Sequence, residues 1–273
     1  MELLQETSSS KVIGTTPLSP DQQAEAGGEG GGRDGRNRSS TTRKRHGARN
    51  QHRHKFFVKW IMETFPFLSK GEIEGDELLQ QQALHILDVA GGKGETSARL
   101  CMCHRQNVVM VDPRPADIVH CFETLVLPKI PKKWQQRLLH QQGTNPNFVR
   151  EAIASRFRQL VTTFDEDRVS TSAELQEAIE RANLILGLHA DGATEAIVDF
   201  ALTYQKPFVV VPCCVFPNLF QERRIRDESN GNQLVPVRSH EQFVQYLAQK
   251  DPRFVVEKLP FEGRNVAIWW DGK

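Results

Sequence analysis

The stretch from residue 83 to residue 112 constrains the fold of this chain more than any other. Its pattern is a strand, a glycine-containing turn, a helix and a second strand, at 83–89, 90–94, 95–103 and 108–111. Units of this kind build parallel sheets with helices packed on their faces. We therefore predict an α/β fold, a doubly wound Rossmann-like sheet of about seven strands.

The rest of the chain supplies further elements for such a sheet. Aromatic residues at helical spacing between Phe56 and Phe65 predict an amphipathic helix that covers it. Further helices are predicted at 122–127, 133–140, 148–157, 171–182, 194–204 and 241–249, and strands at 157–164, 184–188, 208–211, 254–259 and 265–270. The last two strands are predicted to pair as a hairpin, and 116–157 forms a helical insertion.

The first 53 residues differ in composition from the remainder. Residues 1–55 carry ten Lys/Arg against six Asp/Glu, and the first aromatic residue of the chain is Phe56. Without large apolar side chains this arm cannot offset the entropy lost on ordering, so we expect 1–53 to be disordered and 54–273 to be the folded domain. Its basic run, Arg43, Lys44 and Arg45, is typical of a nuclear-import or RNA-phosphate patch, but equally of a solvated tail.

Composition excludes several classes of protein. The 35 Lys/Arg nearly balance the 34 Asp/Glu, so no global field directs the chain to nucleic acid or membrane. The longest apolar stretch, 208–216, is too short to span a bilayer. Five cysteines, an odd number, and no secretory start indicate a reducing compartment, cytoplasmic or nuclear.

The glycine turn and the acid after the second strand indicate a binding site. Gly92 and Gly94 allow a sharp turn and a close approach of backbone to ligand, and the following helix directs free N–H groups into the same crevice. Asp112 lies where an acid can accept two hydrogen bonds from a ribose diol, and we expect it to be partly exposed. The alternative is an ordinary tight turn with a surface aspartate.

The identity of the turn residues narrows the choice of ligand class. A nicotinamide-binding turn would have glycine where Ser97 stands. Asp88, at the end of the first strand, would repel a pyrophosphate and attract a cationic amino group. A nucleoside ligand without phosphates is therefore favoured over a nicotinamide dinucleotide.

These residues resemble a known family. The run from His85 to Gly94 is similar to motif I of class I S-adenosylmethionine-dependent methyltransferases, and 109–112 resembles their ribose-binding strand end. The resemblance covers 83–273 and implies an antiparallel last strand and S-adenosyl-L-methionine as cofactor. It implies that the cofactor is held by Asp88, Ala90, Gly91, Gly92, Gly94 and Asp112, with Asp165 or, alternatively, Glu166 near the adenine. Ala90 stands where the family usually has its first glycine.

The second half resembles one subgroup of that family. Residues 188–194 and 211–214 are similar to its Leu-His and Val-Pro-Cys-Cys signatures. The subgroup includes tRNA ribose methyltransferases and many proteins of unassigned function, so RNA is the first expectation for the methyl acceptor. The Asp/Asn-Pro-Pro-aromatic motif of amino methyltransferases is missing, which disfavours an exocyclic amine.

Three residues at the ends of later strands are candidates for catalysis. His189 is a candidate base, and the alternative is a histidine that shapes the pocket. Cys213 and Cys214 are candidate nucleophiles, but we favour pocket-lining thiols because no cationic neighbour is identifiable. We expect no metal, since the cysteines lack paired two-residue spacers and no histidine pair completes a set.

The partner and the activity have alternatives of their own. Arg223, Arg224 and Arg226 are candidates for RNA phosphates, or form a solvated face beside neighbouring acids. Residues 56–273 carry 25 Lys/Arg and 28 Asp/Glu, so the domain itself is not basic. A methyltransferase is the favoured function. The alternatives are an inactive methyltransferase-like scaffold and, less favoured, a nicotinamide-dependent oxidoreductase.

Overall fold

The structure, a computed structural model, describes residues 50–69, 85–227 and 231–273. The predictions made for residues 1–49, including the basic run 43–45, lie outside these residues. Across the three described ranges, none of the helices has the length and apolar character needed to cross a membrane.

Nine strands and nine α-helices make up the described residues. The strands are β1 (His85–Val89), β2 (Val108–Val111), β3 (Phe157–Leu160), β4 (Ala182–Leu188), β5 (Phe208–Val211), β6 (Arg224–Asp227), β7 (Gln233–Pro236), β8 (Val255–Lys258) and β9 (Val266–Trp270). The helices are α1 (Arg53–Thr64), α2 (Glu95–His104), α3 (Ile118–Cys121), α4 (Lys132–Thr144), α5 (Phe148–Ala154), α6 (Glu166–Thr171), α7 (Ala173–Glu180), α8 (Thr194–Thr203) and α9 (His240–Ala248). A π-helical turn, Phe122–Val126, follows α3 directly.

Seven of the strands form one mixed sheet in the order β3-β2-β1-β4-β5-β9-β8. The first five strands run parallel, whereas β9 runs antiparallel to both β5 and β8. The predicted doubly wound sheet, its number of strands and its antiparallel last strand are confirmed. The dinucleotide-binding fold continues its sheet after the fifth strand with a parallel one, so β9 departs from that fold.

Helices cover both faces of this sheet because successive residues of each strand point to opposite sides. On one face, Leu87 and Val89 of β1 pack in a core with residues of α7, α8 and α9. On the other face, Ile86 packs with the apolar side of α1, including Phe57 and Ile61, which are fully buried. The predicted covering helix is thereby confirmed.

The helical insertion packs beside this second layer. It contains α3, the π-helical turn, α4 and α5. Phe122 and Val126 are fully buried against Ala98 of α2 and Met110 of β2. The insertion therefore supports α2 from the side and helps to fix the turn from which α2 begins.

Two segments differ from the sequence-based expectation. The sequence predicts no strand between residues 211 and 241, where the structure has the antiparallel pair β6 and β7. Only Ile225 of β6 is buried among charged neighbours, so the alternation is too short to be recognised from sequence. The strand expected over 157–164 ends at Leu160, because the chain turns there and Asp165 caps α6.

A buried ion pair holds the start of β6 against the main domain. Arg223 is only 2% exposed, and its Nε lies 2.6 Å from Oε2 of Glu195 on α8. The other oxygen of Glu195 accepts from the Tyr246 hydroxyl at 2.5 Å and lies 2.7 Å from Nζ of Lys250. The Arg223 guanidinium also stacks 3.6 Å from the ring centre of Phe220.

Replacing Glu195 by alanine should lower the free energy of unfolding by about 3–5 kcal/mol, because it leaves the Arg223 guanidinium buried without a counter-charge. Chemical denaturation of the variant measures this loss. Glu174→Ala is the control, since Glu174 pairs with Arg158 at an exposed site and its loss should cost less than about 1 kcal/mol. Equal losses in the two variants would contradict the structural role of the ion pair.

Candidate functional site

The turn after β1 lies at the carboxyl edge of the sheet and has three residues with left-handed backbone, Ala90 (φ 56°), Gly92 (φ 60°) and Gly94 (φ 79°). A Cβ on Gly94 would lie 2.1 Å from Cδ1 of Ile118, whereas a Cβ on Gly92 would meet nothing within 4 Å. Glycine is therefore needed at 94 to pack the insertion, and the backbone at 92 faces open space. Gly91 packs against Met110.

Asp112, directly after β2, joins that strand to the turn. Its Oδ2 accepts the Gly92 amide at 2.9 Å, and its Oδ1 accepts the Arg114 amide at 2.9 Å and the Arg114 Nε at 3.2 Å. Burial acts to raise the pKa of Asp112, but the hydrogen bonds from Arg114 and Gly92 outweigh it and hold the pKa below its usual range. Asp112 is therefore an ionised acceptor beside the turn.

The expectation that Asp112 is partly exposed is wrong, since the residue is only 1% exposed. The cause is Arg114, which follows it by two residues and folds back over the carboxylate. The Arg114 side chain is itself 77% exposed, so a ligand with hydroxyl groups has only a solvated side chain to displace.

Asp88 lies beneath the turn rather than at its surface. Its side chain is 1% exposed, and its Oδ2 accepts the Ser97 hydroxyl at 2.5 Å. Burial raises the pKa of Asp88 to about 7. The hydrogen bonds from Ser97 act to lower this pKa, and the charge of the nearby Asp112 acts to raise it. The contacts of this carboxylate therefore tie β1 to the first turn of α2.

The amino end of α1 also contributes to this edge, which the sequence did not indicate. Nδ1 of His54 lies 2.9 Å from the Thr96 hydroxyl in the first turn of α2. The neighbouring Glu95 pairs with Arg99 at 2.8 Å and with Lys129 of the insertion at 3.4 Å. Burial lowers the pKa of His54 to about 4, against the effect of Glu95, so the imidazole is neutral at pH 7.

His189 lies at the end of β4, the strand next to β1. Its backbone is left-handed (φ 57°), and its amide donates to the carbonyl of Val211 at 3.1 Å. Burial, followed by the charge of Arg53, lowers the pKa of His189 to about 4. The imidazole is thus neutral at pH 7, and its buried Nδ1 has no hydrogen-bond partner among the described residues.

Cys213 and Cys214 follow β5 and lie beside Asp191, which follows β4. The Cys213 thiol donates to Oδ1 of Asp191 at 3.1 Å. Burial and that hydrogen bond raise the pKa of Cys213 to about 12, and the pKa of Cys214 is also raised. Both cysteines are therefore protonated thiols here, whereas a nucleophile would have to be a thiolate.

The remaining predicted site residues make other contacts. Asp165 caps α6 by accepting the Arg168 amide at 2.9 Å. Arg223 is buried in its ion pair with Glu195, so its guanidinium faces the interior instead of a phosphate. Arg224 and Arg226 are exposed on β6.

A large cavity of about 910 Å³ lies away from the turn, between the end of α2 and the insertion. Cys103, Trp134 and Arg137 are among the residues that line it. Because α2 has ten residues, its two ends lie about 15 Å apart. The cavity is therefore separate from the edge that carries Gly92, Asp112 and His189.

No protein-family model and no curated protein matches this sequence. Among solved structures, the chain is similar to the methyltransferase domain of bacterial CtHen1 (12% identity, TM-score 0.40, covering 81% of this chain and 97% of that one). It is also similar to magnesium protoporphyrin IX methyltransferase (ChlM) from Synechocystis with bound SAH (12%, 0.37, 86% and 88%). A third likeness is to precorrin-6y C5,15-methyltransferase from Geobacter metallireducens (13%, 0.32, 74% and 82%).

Gly94→Ala should destabilise the domain by at least about 1–2 kcal/mol, since alanine disfavours left-handed backbone and its Cβ would overlap Ile118. Gly143→Ala is the matched control, because Gly143 lies in α4 with open space around it and should be neutral or slightly stabilising. Thermal unfolding of both variants measures the difference. A Gly94→Ala domain as stable as the Gly143→Ala domain would show that the turn is not built as described.

Asp88→Asn should flatten the pH dependence of stability. The pKa of Asp88 is about 7 in the folded chain and 3.8 ordinarily, so the folded chain binds the Asp88 proton more tightly than the unfolded chain does. The stability that this proton contributes is therefore lost as pH rises from 3.8 to about 7. Its full size is at most about 4 kcal/mol. Urea unfolding of both chains at several pH values measures the difference, in which the contributions of the buried histidines cancel. Parallel curves would contradict the burial of an ionisable Asp88.

Proposed function

We propose that this protein is an S-adenosylmethionine-dependent methyltransferase. The observation that carries the proposal is the hydrogen bond between the Gly92 amide and the ionised Asp112. It joins the open turn at Gly92 to an ionised carboxylate, next to the point between β1 and β4 where strand order reverses. Crevices at such reversal points are where open α/β sheets bind ligands.

The residues at this edge fit the proposed cofactor. The open space at Gly92 allows backbone to approach a ligand closely, and the carboxylate of Asp112 can accept hydrogen bonds from a ribose diol. Ala90, Gly91 and Gly94 shape the turn, and Asp88 holds it from below through Ser97. We assign Asp165 to the adenine side on the family resemblance alone.

S-adenosylmethionine, when bound, supplies a methyl group on an activated sulfonium. The protein then has to align the acceptor and, for a hydroxyl acceptor, to take up its proton. The neutral imidazole of His189 is in the form that accepts a proton, and we propose it for that role. Its pKa of about 4 makes it a weak base, since a general base works best when its pKa lies near the operating pH.

RNA is our proposal for the acceptor. It follows from the likeness to tRNA ribose methyltransferases at 188–194 and 211–214. Arg43, Lys44 and Arg45, together with the exposed Arg224 and Arg226, are the proposed phosphate contacts. A phosphate-contact role implies binding that weakens steeply with salt.

Calorimetric titration of the full chain with S-adenosylmethionine, S-adenosylhomocysteine and NAD tests the cofactor. We expect saturable binding of the first two and none of NAD. Asp112→Asn should weaken binding roughly ten- to hundredfold, the value of a hydrogen bond to a charged acceptor. Asp167→Asn, an exposed acid on α6, is the control and should bind as the wild type does.

Transfer of a labelled methyl group to RNA and protein fractions tests the activity. Label in RNA supports the whole proposal, and label in protein alone overturns the acceptor. His189→Gln should then lower turnover more than cofactor affinity. Cofactor binding without any labelled product would favour the inactive scaffold, and binding of NAD alone would favour the oxidoreductase.

A further inference from the structure

The strongest unassigned cluster of side chains lies where β4 and β5 end. Leu188 and Val211, the last residues of these strands, are paired in register. Asp191 follows the first by three residues, and Cys213 and Cys214 follow the second by two and three. The two segments therefore bring a carboxylate and two thiols together from parts of the chain more than twenty residues apart.

The distances in this cluster are those of a ligand set. A carboxylate oxygen of Asp191 and the Sγ atoms of Cys213 and Cys214 all lie within 4.8 Å of one another. In a tetrahedral zinc site, with Zn–S near 2.3 Å and Zn–O near 2.1 Å, neighbouring ligand atoms are roughly 3.5–3.8 Å apart. The distances in the cluster, from 3.1 Å between Cys213 Sγ and Asp191 Oδ1 up to a limit of 4.8 Å, are within about 1 Å of that spacing.

The chemistry of the donors selects the ion. Two sulfur donors disfavour Ca²⁺ and Mg²⁺, which take oxygen ligands, and favour Zn²⁺ among the common divalent cations. In this structure the Cys213 thiol donates a hydrogen bond to the Asp191 carboxylate. A bound Zn²⁺ ion would displace the thiol protons of both Cys213 and Cys214 to solvent and attract all three donors at once.

The surroundings leave room for exchange with solvent. Asp191 and Cys214 are exposed and Cys213 is half-buried, so an ion can reach the cluster directly. Three protein ligands leave the fourth tetrahedral position open to water, as in catalytic zinc sites. His189, two residues before Asp191, has a buried Nδ1 without a hydrogen-bond partner among the described residues.

We propose that Asp191, Cys213 and Cys214 form a binding site for one Zn²⁺ ion, with an open fourth position. This proposal departs from the expectation, drawn from the sequence, that the chain holds no metal. The expectation was drawn from spacing along the chain, whereas the third donor comes from the neighbouring strand. Metal binding here does not depend on methyl transfer, so either proposal can fail without the other.

Zinc titration of the full chain tests the site. The reduced protein, stripped with a chelator, is titrated with Zn²⁺ in competition with a chromophoric chelator, and separately with Co²⁺. We expect one equivalent of Zn²⁺ and, for Co²⁺, a near-ultraviolet charge-transfer band that reports thiolate ligation. Asp191→Asn, Cys213→Ser and Cys214→Ser should each weaken binding by more than about tenfold, the loss that even outer partners of a ligand produce.

Cys103→Ser is the matched control, because Cys103 is a free thiol at the far end of α2 and should leave binding unchanged. Circular dichroism of each variant verifies its fold, and the exposed Cys214 and Asp191 provide variants that do not disturb the core. The proposal is overturned if no equivalent of Zn²⁺ binds saturably. It is also overturned if the Co²⁺ complex lacks the charge-transfer band, or if the Asp191 and Cys214 variants bind as tightly as the control.

Discussion

The hydrogen bond between the Gly92 amide and the Asp112 carboxylate is the contact on which the carboxyl edge of the sheet depends. Asp112 is buried and ionised, and a buried charge without partners would cost several kcal/mol. The turn after β1 must therefore hold its amide toward β2. This constraint fixes where α2 begins, and through Ser97 and Asp88 it fixes how α2 sits on β1.

Much of the fold could be predicted from the sequence because its elements carry local signals. Apolar runs marked β1, β2, β4 and β5, and the aromatic spacing before Phe65 marked α1. The pair β6 and β7 could not be found in this way, since Ile225 is the only buried residue of β6. That pair is held in place by packing of Ile225 and Val237 in the core and by the ion pair of Glu195 with Arg223, a contact between segments about thirty residues apart.

The candidate site was predictable only in part, for a related reason. The identities of Asp112 and His189 followed from their positions at strand ends. The burial of Asp112 could not be predicted, because it depends on the Arg114 side chain folding back over the carboxylate. The cluster of Asp191 with Cys213 and Cys214 needs the register of β4 and β5, which no spacing along the chain encodes. His54 was missed because its relation to Thr96 exists only once α1 has docked.

Lys129 connects three segments of the chain beside the glycine turn. Its ammonium group lies 3.4 Å from Glu95 and 3.3 Å from the carbonyl of Gln51. One side chain thus fastens the insertion to the first turn of α2 and to the segment that leads into α1. Displacing the insertion would therefore break both contacts at once.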